Sequence, residues 1–158
     1  MTLTILVAPS GFKESLSVDD VTRAIGDSIR RATGGRIILT CVTGPVGDPV
    51  DSFFGLMGGP GPRTAVIDIA AAAGLSLVPR DQRNPMLTTS FGVGQLILAA
   101  LNAGVDRILI GCGDSGINDG GAGLAPALGV RLLDDNDAEI GPGCGKVVLV
   151  APHRYNGA

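Results

Sequence analysis

The sequence predicts an α/β domain: a mixed sheet with helices packed on it. Three observations carry that expectation. Short apolar runs rich in β-branched residues alternate with helix-like stretches. Residues 36–69 hold three such runs joined by two proline–glycine turns, which reads as an antiparallel meander. A helical stretch then precedes a further apolar run at 107–110, which is the spacing of a late parallel strand.

Taken in order, residues 4–8 read as a short strand ended by Pro9, followed by a polar loop that carries Lys13, Glu14 and Ser15. Ser17 is placed as the N-cap of a helix reaching about Ala32, with Val18, Val21, Ile25 and Ile29 on one face. Gly34 and Gly35 stop it. Strands are expected at 36–43, 50–57 and 64–69, with a short helical piece at 70–74. Residues 79–85 form a polar connector. Thr88 or Thr89 is the expected cap of a helix running to Gly104. A strand at 107–110, a glycine-rich loop, a short helix at 124–129 and a strand at 130–133 follow. An acidic turn leads to a last strand at 146–150. The division expected is one domain over 1–158: a strand–helix at 1–35, a core at 36–152 and a tail at 153–158.

Composition narrows the function classes. The chain has 158 residues and a net charge of -3, so it carries no basic footprint for nucleic acid. Aromatic residues are 3% of it, too few for a base-stacking platform. Cys41, Cys112 and Cys144 are odd in number and far apart, which fits neither a disulfide framework nor a metal knuckle. A reduced, cytoplasmic setting is expected. The first nine residues lack the basic flank of a signal peptide, and no apolar run reaches the ~20 residues of a membrane helix.

The richest stretch is Gly111-Cys112-Gly113-Asp114-Ser115-Gly116-Ile117-Asn118-Asp119-Gly120-Gly121-Ala122-Gly123, between a strand and a helix. Such junctions hold ligands in α/β proteins, because glycines let backbone N–H groups approach an anion. Asp119 is either a general base or a cap for the helix behind it. Asp114 is either a second acid or a solvated loop residue. Asp68, at the end of an apolar strand, is either a site acid or a hydrogen-bonded structural one. Lys13 suits a carboxylate or phosphate. Ser115, Asn118, Thr88, Thr89 and Asn84 suit hydroxyls or carboxylates, and Ser15 joins them. The stretch also fits a dinucleotide fingerprint, with Asp134 and Asp135 near the distance of a ribose acid, but little sheet remains beyond it. Cys112 and His153 read as a packed thiol and a solvated ring.

Five segments together resemble bacterial-type glycerate kinases. They are Ala8-Pro9-Ser10-Gly11-Phe12-Lys13-Glu14-Ser15, Thr43-Gly44-Pro45-Val46-Gly47-Asp48-Pro49-Val50, Asp68-Ile69-Ala70 through Gly74-Leu75, Arg83-Asn84-Pro85 through Thr88-Thr89-Ser90, and the glycine-rich loop. The resemblance implies the smaller domain of such an enzyme plus its N-terminal strand–helix, a hydroxy-acid substrate, and ATP with Mg²⁺. The chain departs from the pattern in three ways. An acidic A-D-G-G-E-G-T block after the first helix has no counterpart before Thr33-Gly34-Gly35. Ser10 and Gly11 replace the pattern's Asp and Ser. Asp114 replaces a glycine and Ile117 a threonine.

Phosphoryl transfer depends on positioning and charge neutralisation, and the missing block removes both kinds of group. The sequence therefore predicts a domain that has left kinase chemistry. Its pocket would use Asp119, Asp114 and Asp68 for proton transfer on a small hydroxy or carbonyl compound, with no cofactor and no metal. Lys13, Ser15, Asn84, Thr88, Thr89, Ser115 and Asn118 would hold that compound. A homodimer is expected, with neither nucleic acid nor membrane as partner. The alternatives are a glycerate kinase using ATP and Mg²⁺ and completed by a partner chain, or a non-catalytic binding or assembly module.

Overall fold

A computed structural model describes residues 34–134 and 136–140, together with Asp20, Arg23 and Asp27. Strands β1 (Arg36–Thr43) and β2 (Pro49–Leu56) form a hairpin in which Arg36 faces Leu56 and Thr43 faces Pro49. Its turn closes through the Gly44 amide, which donates to the Asp48 carbonyl at 2.7 Å, and Gly47 takes the left-handed φ of +99°. Strand β3 (Thr64–Asp68) pairs antiparallel with β2 through Gly55–Val66 and Leu56–Ala65. Helix α1 (Ala70–Ala73) and two single 3₁₀ turns, Leu75–Leu77 and Arg80–Gln82, follow. Helix α2 (Phe91–Asn102) then crosses back, so that β4 (Arg107–Gly111) lies parallel to β3. Helix α3 (Leu124–Ala127) closes the loop behind β4. The sheet order is β1-β2-β3-β4, a meander with one parallel strand added.

Two periodicities build the core. In the strands alternate residues turn inward, and Val42, Phe54, Ala65 and Ile67 are buried on one face. In α2 the spacing of three and four residues brings Val93, Leu96 and Ala100 onto that face. Each large side chain so buried stabilises by roughly 1.5–3 kcal/mol. Arg63 secures the far end of α2. Its Nη2 donates to the Ala103 carbonyl at 2.7 Å, and its backbone amide donates to Asp106 Oδ2 at 2.9 Å.

The mixed sheet, the early meander and the late parallel strand agree with the sequence. Two local expectations do not hold. Residues 130–133 form no strand. Gly129 has a φ of +89°, and the Val130 amide donates back to the Ala125 carbonyl at 3.0 Å. The chain therefore folds on itself, leaving one isolated bridge between Leu133 and Glu139. Asp134 closes that turn by accepting the amides of Ala138 and Asn136, which hold its carboxyl below the ordinary value. Helix α2 begins at Phe91, with Ser90 rather than Thr88 or Thr89 at the N-cap position. Thr89 still serves the helix start, since its Oγ1 accepts the Phe91 amide at 3.2 Å.

Asp20, Arg23 and Asp27 are helical, within the first predicted helix. The predicted strands at 4–8 and 146–150, the tail at 153–158, Lys13 and Ser15 lie outside the described residues. Among the described residues no helix is long and apolar enough to cross a membrane.

Candidate functional site

Strands β3 and β4 run parallel and end side by side, with Asp68 opposite Gly111. The segments that leave them therefore meet at the same end of the sheet, where a crevice forms beyond the strands. Backbone hydrogen bonds tie these segments together. The Gly116 amide donates to the Ala73 carbonyl at 2.8 Å, and the Leu75 amide donates to the Asp114 carbonyl at 2.9 Å. Gly74 and Ser115 add an antiparallel bridge. Asp114 adopts a left-handed φ of +47°, where the resemblance places glycine. Aspartate is one of the few other residues that tolerates this geometry.

Asp119 lies at the centre of the loop and is 2% exposed. Its Oδ2 accepts the Ser90 amide at 2.7 Å, the Ser90 hydroxyl at 2.9 Å and the Gly123 amide at 3.0 Å. Its Oδ1 accepts the Gly121 amide at 3.1 Å. Ser90 Oγ in turn accepts the Leu124 amide at 2.8 Å. The carboxylate thus caps the turn that enters α3 and joins it to the start of α2. Three close approaches make room for this junction. A Cβ at Gly123 would overlap Thr89 Oγ1, one at Gly92 would overlap the Thr43 carbonyl, and one at Gly94 would stand 2.5 Å from the Leu124 carbonyl.

Two adjoining concavities open here, and residues 115, 117 and 118 form the ridge between them. The first, of about 210 Å³, is lined by Leu75, Val78, Arg83, Asn84, Ser115 and Asn118 among others. Among the described residues no carboxylate lines it. Arg83 is steadied through Nε, which donates to the Val78 carbonyl at 3.3 Å, and its two terminal nitrogens have no partner among the described residues. A guanidinium in a concave wall has the charge and the donor geometry that suit a carboxylate or phosphate. At ~30 Å³ per water the space equals about seven waters, which suits a molecule of a few heavy atoms. The second concavity, of about 280 Å³, is lined by Ser90, Asp119, Gly120, Gly121 and apolar side chains including Ile69 and Val93.

The sequence-derived candidates are distributed unevenly over this site. Asn84, Ser115 and Asn118 line the first concavity, and Ser115, Asn118 and Asp119 line the second. Asp68 and Asp114 line neither. Asp68 is half-buried and accepts the Ala70 amide at 3.1 Å, and Asp114 is exposed. The three acids expected to share one pocket therefore do not surround either space. Thr88 and Thr89 are buried beneath the loop at 1% and 6% exposure. Arg83 was not among the candidates. Its signal was its place at the head of the Arg83-Asn84-Pro85 segment, the one cation in a stretch that otherwise offers hydroxyls and amides.

Thr88 Oγ1 is buried with no hydrogen-bond partner among the described residues. An enclosed hydroxyl of this kind costs about 1–3 kcal/mol. Thr88→Val keeps the shape and removes the orphan, so it should raise stability by about 1 kcal/mol. Urea unfolding measures this, and a fall in the midpoint would mean that the hydroxyl has a partner.

The profile of the Glycerate kinase family matches residues 26–157. The chain belongs to the glycerate kinase family. It is 48% identical over 180 aligned residues to a glycerate kinase of Bacillus subtilis (strain 168), covering 98% of this chain and 47% of that protein. It is 41% identical to the glycerate 2-kinase of Escherichia coli (strain K12), covering 92% of this chain and 44% of that protein. A solved structure assigned as glycerate kinase 2 from Salmonella typhimurium LT2 matches with a TM-score of 0.73 and 48% identity, over 79% of this chain and 33% of the other. The chain spans about half the length of these curated family members. The Bacillus alignment, at 180 positions, exceeds the 158 residues of this chain, so at least 22 positions of that kinase have no counterpart here. This agrees with an internal block missing from the family pattern.

Family membership raises the question of Mg²⁺ and nucleotide. Among the described residues no three His, Cys, Asp or Glu side chains are grouped to hold a metal ion. Among the described residues the first concavity offers no carboxylate, and the oxygens of Asp119 are occupied by four donors. The described residues do not fit a metal–nucleotide site, and no such role is assigned to them.

Proposed function

We propose that this chain is the hydroxy-acid-binding portion of a glycerate kinase, acting in ATP-dependent phosphorylation of glycerate with the nucleotide held by another polypeptide segment. In that reaction a glycerate hydroxyl oxygen bonds to the γ-phosphorus of ATP. The bond to the bridging oxygen breaks, ADP leaves, and the hydroxyl proton is released. The contribution of this chain is to bind and orient the acid. The observation that carries the reading is the small concavity in which Arg83 stands with Asn84, Ser115 and Asn118 and, among the described residues, no carboxylate. Relatives named glycerate kinase favour it over proton-transfer chemistry. So does the distribution of the acids, since Asp119 lines the second of these two concavities and neither Asp68 nor Asp114 lines either of them.

Calorimetric titration of the purified chain with glycerate tests this. Binding should be measurable, and Arg83→Gln should weaken it by about 10- to 100-fold, the loss of one charge-assisted anchor. Arg83 lies on an exposed connector, so the variant should unfold at the wild-type urea concentration. Undiminished binding by the variant, or none by the wild type, would overturn the assignment.

A further inference from the structure

Strand β4 ends the sheet, and among the described residues no strand pairs with its outer side. Its Arg107 amide donates inward to the Arg63 carbonyl at 3.2 Å, and its Gly111 carbonyl accepts the Ile69 amide at 3.0 Å. In a parallel ladder alternate residues address one neighbour, so residues 107, 109 and 111 face β3. Ile108 and Ile110 therefore turn both N–H and C=O to the open edge. Ile110 is 44% exposed and Leu109 36%. Sheet edges are commonly blunted by lysine, proline or a bulge, and none of these interrupts Ile108-Leu109-Ile110.

The order Arg107-Ile108-Leu109-Ile110-Gly111 is nearly palindromic, which suits a second copy of the same strand running antiparallel. A two-fold axis at Leu109 sets that residue against its own counterpart. Ile108 then faces the second copy's Ile110, and Ile110 faces the second copy's Ile108. Each of these pairs exchanges two backbone hydrogen bonds through the groups that point outward. Arg107 comes opposite the second copy's Gly111, which has no side chain. Beyond that glycine, on the same face, stands the second copy's Asp68, the residue that pairs with Gly111. Two strand spacings, about 9.6 Å, separate the two backbones, a gap that an arginine and an aspartate side chain span together. Among the described residues Arg107 makes no ion pair, and Asp68 accepts only the Ala70 amide, through Oδ1. We propose that two copies of this chain associate through antiparallel β4 edges centred on Leu109, with reciprocal Arg107–Asp68 ion pairs, joining two four-stranded sheets into one.

Sedimentation velocity of the purified chain, from low micromolar to submillimolar concentration, tests this. One strand edge is a small interface, so the dimer should form with a dissociation constant in the micromolar range. Arg107→Glu sets like charge against Asp68, and Ile110→Lys places a charge on the open edge. Each should weaken the dimer by about tenfold or more. Both side chains are exposed, so both variants should unfold at the wild-type urea concentration. Amide hydrogen exchange locates the contact. The Ile108 and Ile110 amides should gain protection as concentration rises, while the Leu109 amide, already bonded to β3, stays slow throughout. A chain that remains monomeric over this range overturns the proposal. So does a dimer that both variants leave intact, or one in which Ile108 and Ile110 gain no protection with concentration.

Discussion

Asp119→Ala should cost about 4 kcal/mol or more of folding stability, and Asp119→Asn about 2 kcal/mol. The carboxylate is 2% exposed and accepts from the Ser90 amide, the Ser90 hydroxyl and the amides of Gly121 and Gly123. Alanine leaves all four donors without an acceptor in a place that water reaches poorly, and each orphaned donor costs about 1–3 kcal/mol. Asparagine keeps one oxygen but turns an NH₂ group toward at least one N–H, so part of the loss returns. Urea unfolding of the two variants gives both values. Ser90→Ala should show non-additivity with Asp119→Ala, because the two side chains form one junction. An unfolding midpoint within 0.5 kcal/mol of wild type for Asp119→Ala would remove this carboxylate as the tie between α2 and α3. The same geometry fixes the glycine-rich loop, because the carboxylate holds the amides of Gly121 and Gly123.

The second large effect is expected at Gly92, where two rules predict opposite signs. Helix propensity alone favours alanine over glycine by about 1 kcal/mol in a helix. The close approach to the sheet argues the other way. A Cβ at Gly92 would overlap the carbonyl oxygen of Thr43 and come within 3.3 Å of Val42 Cγ2. Thr43 ends β1, and its amide donates to Gln95 Oε1 at 2.7 Å, so this backbone is held from α2 itself. It cannot withdraw without losing that bond. Gly92→Ala should therefore lower stability by about 3 kcal/mol, in the upper range for overpacking. A thermal unfolding midpoint equal to or above wild type would show that α2 shifts freely on the sheet.

Much of the fold was legible because its signals are local. The strands at 36–43 and 107–110, the meander turns and the apolar face of α2 follow from alternation and helical spacing within a few residues. The stretch 130–133 was misread for a related reason. Its Val130-Arg131-Leu132-Leu133 composition suits a strand, but the left-handed Gly129 and the Asp134 turn send it back on itself. Residues of the glycine-rich loop and of the Arg83-Asn84-Pro85 segment line the same concavity. The roles within them were less legible. Asp119 reads equally as a base or as a cap, and the choice depends on Ser90, 29 residues away.

By itself the sequence determined the class of fold and the family. Each of these is written in spacing and in residue types that lie close together along the chain. Only the tertiary structure decided that Asp119 is consumed by four donors, that Asp68 and Asp114 do not join it at either concavity, and that Arg83 shares a concavity with Ser115 and Asn118. The physical reason is that a hydrogen bond or a charge acts across a few ångströms of space, and the chain gives no measure of that distance until β3, α2 and β4 have brought residues 83, 90 and 119 to one end of the sheet.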